Sequence, residues 1–488
     1  MDDLKHKAVR GGAVKGLAQA ANFVLRIGSM AVLARLLEPR DFGLVAMVTV
    51  MTNVLSLFKD AGLTVPTVRS PTITDAQLST LFWLNLLVGV ALTLICAAAA
   101  SALAAFYRDE RLVTVALWTA PSFLLTAIGV QHNALLERHL RFPVLSLIDV
   151  AAAFLSSLTG LTMALLSCGY WSLVGMTLVQ PATSTVGVWI AARWLPGRPR
   201  RGVGIGSMIR LGGALTFRSI VIYAAYNTDK MLLGRFWGAT ALGSYGRAYQ
   251  LLSIPTDSLN GAVGGVALSA LSRLSDQPER LRVYFLKAYS LVLALTVPCT
   301  IACAVFSPEI VAVVLGSKWG ETAAITRLLA PTILVFGMIN PAFWLMFSAG
   351  LMGRSFWMAV VMGVLVISAC VIGLPYGSRG VAAAYSTAMT LWLVPHLVWS
   401  VHGTVVRPSD LARAAGKPIV AGMVAALACV GFRVAATDVL SIVPRLAVGM
   451  LVLAAAYLGT LLVALRQLPF YSDLLKTLFP RRPSPAPS

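Results

Sequence analysis

The sequence predicts an all-α integral membrane protein of about fourteen transmembrane helices in two pseudo-symmetric lobes. Three observations carry that expectation. Of 488 residues, 58% are hydrophobic and only 12% are charged, with a mean hydropathy of +0.81, whereas about a quarter of the residues in a soluble domain carry charge. The apolar residues gather into runs long enough to span a bilayer, which takes ~20 mostly apolar residues in a helix. A basic, proline- and glycine-rich stretch near the middle then separates six of these runs from eight more.

In chain order the runs lie near 13-37, 42-64, 80-104, 113-136, 143-167 and 171-194, then 208-234, 242-266, 283-307, 325-347, 355-374, 380-401, 416-436 and 443-465. The first follows a basic start that includes Lys5, Lys7 and Arg10. It is too long for a signal-peptide core and is expected to stay as a span. Pro121, Pro181, Pro255, Pro298, Pro331, Pro341 and Pro395 fall inside runs. Membrane helices tolerate such residues where neighbours or water satisfy the freed carbonyls, and a minority are expected to serve as hinges. Ser307 to Ala324 is the longest outer connection, and its Ile310-Val-Ala-Val-Val-Leu315 core is expected to dip back to the interface. The tail Pro480-Arg-Arg-Pro-Ser-Pro-Ala-Pro-Ser488 has too little apolar surface to fold.

The central stretch reads Trp194-Leu-Pro-Gly-Arg-Pro-Arg-Arg-Gly-Val-Gly-Ile-Gly-Ser207. Its prolines lack donors, its glycines are costly to order and its arginines repel, so it is expected to be an exposed connector rather than a packed element. The halves on either side are related. A shift of two hundred residues puts Leu33, Arg35 and Gly43 on Leu233, Arg235 and Gly243, and Gly12 on Gly212. In both halves this segment closes one apolar run and opens the next. A repeated half joined by a basic linker is a transporter-like organisation. It gives a lobe over 1-194, a cytoplasmic linker over 195-207, a second lobe over 208-401, two further spans over 402-466 and a tail over 467-488.

The net charge is +20, but the basic residues sit in short gaps between apolar runs, which argues against nucleic acid as a partner. Their asymmetry sets an orientation. One side collects the N-terminal lysines, Arg69, Arg138, Arg141, the linker arginines, Arg273, Arg280, Arg282, Lys287, Arg354, Arg407, Arg413, Lys417 and Arg466. The other holds fewer, among them Arg35, Arg40, Arg108, Arg111, Arg235, Lys318, Arg379, Arg433 and Arg445, several beside acids such as Glu38, Asp41, Asp109 and Glu110. Both termini are therefore expected in the cytoplasm.

Several kinds of chemistry are missing. There is no Gly-x-x-x-x-Gly-Lys phosphate loop, no Asp-x-Asp pair and no Cys-x-x-Cys, and the cysteines at 96, 168, 299, 303, 370 and 429 lie in or beside apolar runs as small hydrophobes. His132 and His139 flank a cytoplasmic loop and are expected to be solvated. No catalytic residue, metal or cofactor is expected, and the chain reads as a non-enzyme.

Charges inside spans are the informative feature, since each costs ~2.5–3.5 kcal/mol at a helix centre on insertion scales. Arg26 lies at the middle of the first expected span. Arg218 is ~4–5 Å from the middle of the seventh and Asp257 is similarly placed in the eighth, while Arg247 and Asp149 are roughly 10 Å out. Asp229 and Lys230 reach the outer rim, and Lys59 and Asp60 mark the cytoplasmic end of the second span. Two readings stand for Arg26 and Arg218: members of buried ion pairs, or a cationic cavity whose guanidinium groups match phosphate oxygens. Lys59 and Arg247 extend that cationic set. Asp60, Asp149 and Asp257 are partner carboxylates or candidates for ion coupling. Gln19, Asn22, Ser29, Asn53, Asn85, Gln131, Asn133 and Gln180 add amides and hydroxyls that hydrogen-bond sugars or join helices.

The passages Asp229-Lys-Met-Leu-Leu-Gly-Arg-Phe-Trp-Gly238, Leu242-Gly-Ser-Tyr-Gly-Arg-Ala-Tyr-Gln-Leu-Leu-Ser-Ile-Pro255 and Leu268-Ser-Ala-Leu-Ser-Arg-Leu-Ser-Asp276 resemble the second-half signature of bacterial polysaccharide flippases of Wzx type. Leu33 to Gly43 and Gly377-Ser-Arg-Gly-Val-Ala-Ala-Ala-Tyr385 are similar to it too, and the resemblance runs from about residue 8 to 465. These flippases belong to the multidrug, oligosaccharidyl-lipid and polysaccharide exporter superfamily. The resemblance implies a two-lobed bundle in the bacterial inner membrane that moves an undecaprenyl-diphosphate-linked oligosaccharide by alternating access. Arg26 and Arg218 would then line a central cavity from opposing lobes. Membrane lipids, a polysaccharide polymerase and chain-length proteins are the further partners it implies. A multidrug or lipid II exporter of the same superfamily is the alternative, although drug exporters for organic cations favour intramembrane acids. A membrane polymerase or ligase is a third reading, and the large external loop such enzymes use is missing.

Overall fold

A computed structural model of the chain describes residues 2–58, 64–70, 73–200, 206–274, 276–437 and 439–471. Every regular element among them is helical. In order these are α1 (Asp2–Leu36), α2 (Pro39–Ser56), α3 (Thr64–Arg69), α4 (Asp75–Tyr107), α5 (Arg111–Thr119), α6 (Pro121–Arg138), α7 (Phe142–Leu165) and α8 (Trp171–Ala192). There follow α9 (Gly206–Arg273), α10 (Pro278–Val305), α11 (Ser307–Val314), α12 (Gly320–Leu329), α13 (Pro331–Ser348), α14 (Met352–Gly373), α15 (Gly377–Val401), α16 (Pro408–Ala436) and α17 (Ile442–Leu458).

Ten stretches of the described residues are long and apolar enough to cross a membrane, and one of them, Met352–Val401, contains both α14 and α15. The shorter α2 and the two pieces of α9, broken where Gly238 takes φ 78°, supply the rest of the fourteen helices. The all-α membrane fold is therefore the one the hydropathy calls for. Pro121 lies inside the span Arg111–Arg138, whereas Pro331 begins the span Pro331–Ser348, and neither is internal to a helix. Each opens a helix, α6 and α13, after a short one, α5 and α12. A proline lacks the donor that the first turn of a helix leaves unused, so it starts a helix as readily as it interrupts one. Pro181, Pro255, Pro298, Pro341 and Pro395 do lie inside helices.

The chain divides into two compact units, Met1–Ser244 and Tyr245–Ser488. In the first, α4 packs on α6, α6 on α8, α8 on α7 and α7 on α1. In the second, α10 packs on α13, α13 on α15 and α15 on α14, with α16 and α17 added against α10. The punctuation repeats as well. Ala120-Pro121 corresponds to Ala330-Pro331, and the left-handed residues that follow α6 and α8, Leu140 (φ 54°) and Arg193 (φ 51°), correspond to Gly350 (φ 72°) and Gly403 (φ 67°) after α13 and α15. At these two positions the second unit uses glycine, and the first tolerates side chains.

One crossing inside the first unit is unusually close. A Cβ on Gly43 of α2 would lie 1.7 Å from the Ala239 carbonyl oxygen, and one on Gly243 would lie 1.9 Å from the Pro39 carbonyl oxygen. The contacts are reciprocal, and Gly43 and Gly243 are the residues that the two-hundred-residue shift superposes. Two helix backbones touch here with no room for a methyl group. Asp41 caps the approach, its Oδ2 accepting from the Glu38 amide at 3.0 Å.

The linker departs from its expectation. Residues 197–200 are solvent-exposed but strapped to the first turns of α4. The Gly197 amide donates to Ser79 Oγ (2.9 Å), Trp83 Nε1 donates to the Gly197 carbonyl (2.8 Å), and the Arg200 amide donates to Thr80 Oγ1 (3.1 Å). Its first residue also closes over His132, which is fully buried rather than solvated. The imidazole stacks on Trp189 with ring centroids 4.2 Å apart and places Nε2 3.1 Å from the Trp194 carbonyl oxygen. Serine and threonine on α4 offer partners to a backbone that has no ladder of its own, a pairing that composition hides. His139 is exposed as expected.

Alanine at Gly43 or Gly243 should force these backbones apart at a cost of about 1–3 kcal/mol or more. Each variant is expected to lower the yield of monodisperse protein in fluorescence-detected size exclusion. Gly246→Ala, whose Cβ would meet nothing within 4 Å, should not.

Candidate functional site

The unbroken α1 puts Gln19, Asn22, Arg26 and Ser29 on one face, because their spacing of three, four and three residues follows the helical period. Arg26 is exposed and has no ion-pair partner among the described residues. Ser29 Oγ donates to its carbonyl oxygen at 3.2 Å. On α2, Thr49, Asn53 and Ser56 form a second polar face by the same spacing, with Asn53 exposed. Lys59 and Asp60, which would continue it, lie outside the described residues. Asp149 is exposed on α7, the helix against which α1 packs, and it too has no ion pair among the described residues.

Arg218 falls within α9, but its side chain is outside the described residues. Further along that element, Arg247, Gln250 and Asp257 share a face at spacings of three and seven. Arg247 Nη1 donates to Gln250 Oε1, and Asp257 is exposed. The structure thus groups Arg26 with amides and a hydroxyl, and Arg247 with an amide and a carboxylate. Nothing in the described residues sets Arg26 against Arg218. Asp229 is not at an exposed rim: it is 1% exposed, and Lys230 Nζ instead donates to Asn227 Oδ1 at 2.8 Å. The helix turns Asp229 inward while the longer lysine reaches a neighbour one turn back.

Among the described residues of the second unit, Asp410, Glu309 and Glu321 form ion pairs that went unread in the sequence. Arg282 and Asp410 join α10 to α16 in a two-pronged contact of 3.0 and 2.8 Å. Glu309 on α11 is buried and faces both Arg433 (3.4 Å) and Arg445 (3.6 Å) of α16 and α17. Glu321 on α12 takes Arg379 of α15 at 2.6 Å and the Ser378 hydroxyl at 3.1 Å. Each partner is far away in sequence, so no local spacing points to it. In the first unit, the described residues include a local pair, Asp109 with Arg111 at 2.6 Å. Hydrogen bonds from Arg379 and from Arg111 hold the Glu321 and Asp109 carboxyls below the ordinary carboxylate range. Asn85, in the core of the first unit, has neither amide atom hydrogen-bonded among the described residues.

Residues 32–324, more than half of the chain, match the family described as "Polysaccharide biosynthesis protein". The chain belongs to that family. Among its relatives, the lipopolysaccharide biosynthesis protein WzxC of Escherichia coli (strain K12) is 27% identical over 377 residues, 76% of each chain. The succinoglycan biosynthesis transport protein ExoT of Rhizobium meliloti (strain 1021) is 22% identical over 374 residues, 74% of this chain and 73% of its own. Among solved structures, the lipid II flippase MurJ in an inward closed conformation is similar in fold, with a TM-score of 0.75 and 15% identity over 95% of this family member and 100% of that chain. The resemblance seen in the sequence and the two-lobed helical fold it implies therefore stand.

Glu321 gives a pH test. Its folded value is depressed below the ordinary 4.5, so the Arg379 tie contributes stability above that pH and loses it as acid brings the carboxyl through its folded value. Glu321→Gln should have a lower melting temperature than the parent at about pH 7, with the gap narrowing as pH falls below about 4.5. A gap independent of pH would show that the pair is not the source.

Proposed function

We propose that this chain translocates an undecaprenyl-diphosphate-linked oligosaccharide across the bacterial inner membrane, for exopolysaccharide, O-antigen or capsule assembly. The observation that carries this reading is the family match over residues 32–324. The transport named for one relative and the polysaccharide products named for both fit it. The fold is shared with a lipid II flippase and supports flipping of a large lipid-linked substrate equally for that alternative; the family favours polysaccharide precursors. The chain acts as a transporter, not as an enzyme.

The polar face of α1 supports the substrate chemistry. An arginine with no acidic partner among the described residues offers its fork to a diphosphate, and the amides beside it suit sugar hydroxyls. In this reading Arg26 of a lobe over 1-194 and Arg218 of a lobe over 208-401 grip the diphosphate together, with Lys59 and Arg247 extending the cationic surface. Asp60, Asp149 and Asp257 are the carboxylates available for ion coupling. The linker over 195-207, both termini and the tail from 467 face the cytoplasm, and the helices over 402-466 flank the second lobe. A polymerase and chain-length proteins receive the product.

Alanine at Arg26 or Arg218 should abolish surface polysaccharide while the protein still reaches the membrane. Lysine should restore part of it, because an ammonium keeps the charge but not the fork. Normal export from a well-expressed double alanine variant would end the joint-grip reading. Orientation is tested separately. In a cysteine-free background, a cysteine at Arg201 should be labelled only after permeabilisation and one at Lys318 in intact spheroplasts, since positive loops favour the cytoplasm. The reverse pattern would overturn the topology.

A further inference from the structure

The first unit passes from α4 to α5 through Arg108, Asp109 and Glu110 alone, whereas the second inserts α11 and the Ser317–Trp319 turn between α10 and α12. That insertion builds a cavity of about 480 Å³. Its floor is mostly apolar, with Val311, Trp319 and Leu328 among the lining residues, and two arginines, Arg327 and Arg379, stand at it. Arg379 is already engaged by Glu321 through two guanidinium nitrogens, Nε and Nη2. Arg327 is exposed and has no hydrogen bond or ion pair among the described residues. Ser307, which also lines the cavity, is fully buried, and its hydroxyl has no partner among the described residues. Leaving a buried hydroxyl unpaired is costly, so the position favours an acceptor.

The depth of the cavity narrows the choice of acceptor. One span ends at Val305 and the next begins at Pro331, so the connection between them lies at the edge of the hydrocarbon, where a bilayer places its phosphates. With Arg379 neutralised by Glu321, the cavity keeps one positive charge beside an apolar floor. We propose that it holds the headgroup of an anionic phospholipid. Arg327 pairs with the phosphate, the Ser307 hydroxyl donates to a phosphate or ester oxygen, and the first methylenes rest on Pro308, Ala324 and Leu328. The site is distinct from the polar faces of α1 and α9 assigned to the transported substrate.

Native mass spectrometry of the purified full-length protein with palmitoyl-oleoyl phosphatidylglycerol tests this. The parent should retain one phosphatidylglycerol more tightly than phosphatidylcholine. Arg327→Gln should weaken that binding by about tenfold, the usual scale for loss of a charge-assisted hydrogen bond, and Arg327→Lys should weaken it less. Ala324→Leu, which fills the floor without changing charge, should weaken it too. Arg280→Gln, an exposed change on α10, should not. Size exclusion confirms that each variant is folded. Retention of phosphatidylglycerol by Arg327→Gln and Ala324→Leu at the parent's affinity would overturn the proposal. So would an equal loss in Arg280→Gln, which would mark a general charge effect, or displacement of the lipid by glucuronate, which would assign the cavity to a carbohydrate.

Discussion

The contact between α2 and the start of the second piece of α9 sets the tightest constraint in the first unit. At Gly43 and Gly243 the two backbones meet with less than a methyl group between them. In a bilayer, where lipid tails are as apolar as leucine, helices associate by close packing rather than by hydrophobic burial, and small residues allow it. The reciprocity of the contact means that each repeat supplies the notch for the other's carbonyl. The capped start of α2 at Glu38 and Asp41 and the break at Gly238 both lie within five residues of that contact.

Most of the fold was legible because the membrane simplifies the problem. Backbone groups have no water to bond in hydrocarbon, so long apolar runs must be helices, and counting runs gives the helix number. The basic linker and the two-hundred-residue shift revealed the duplication. Proline was harder to read, since the same residue type starts α6 and α13 and sits inside an unbroken α8. The linker misled because its composition describes freedom in an isolated chain, and Ser79, Thr80 and Trp83 supply the bonds that remove it. His132 misled for the same reason. A boundary position in the sequence became a core position once Trp194 folded over it.

The candidate site was partly legible. Charge inside an apolar run singled out Arg26, and helical spacing adds that Gln19, Asn22 and Ser29 stand on its side. The ion pairs of the second unit were hidden because a carboxylate such as Glu309 meets Arg433 and Arg445 only after three helices have returned to one end of the bundle. They also show a division of labour. Acids such as Glu309 and Glu321 are consumed in tying helix ends together, while Arg26 has no acidic partner among the described residues.

The strap on α4 changes how much slack the chain has between α8 and α9. Counted from sequence, the leash runs from Arg193 to Ile205 and could stretch ~45 Å when extended. With Gly197 and Arg200 fastened to Ser79 and Thr80, the residues up to Arg200 no longer contribute to that reach. The chain that leaves α8 is thereby anchored on α4 as far as Arg200. Lengthening the chain before Arg200 and lengthening it after Arg200 are then different operations, since only the second adds slack.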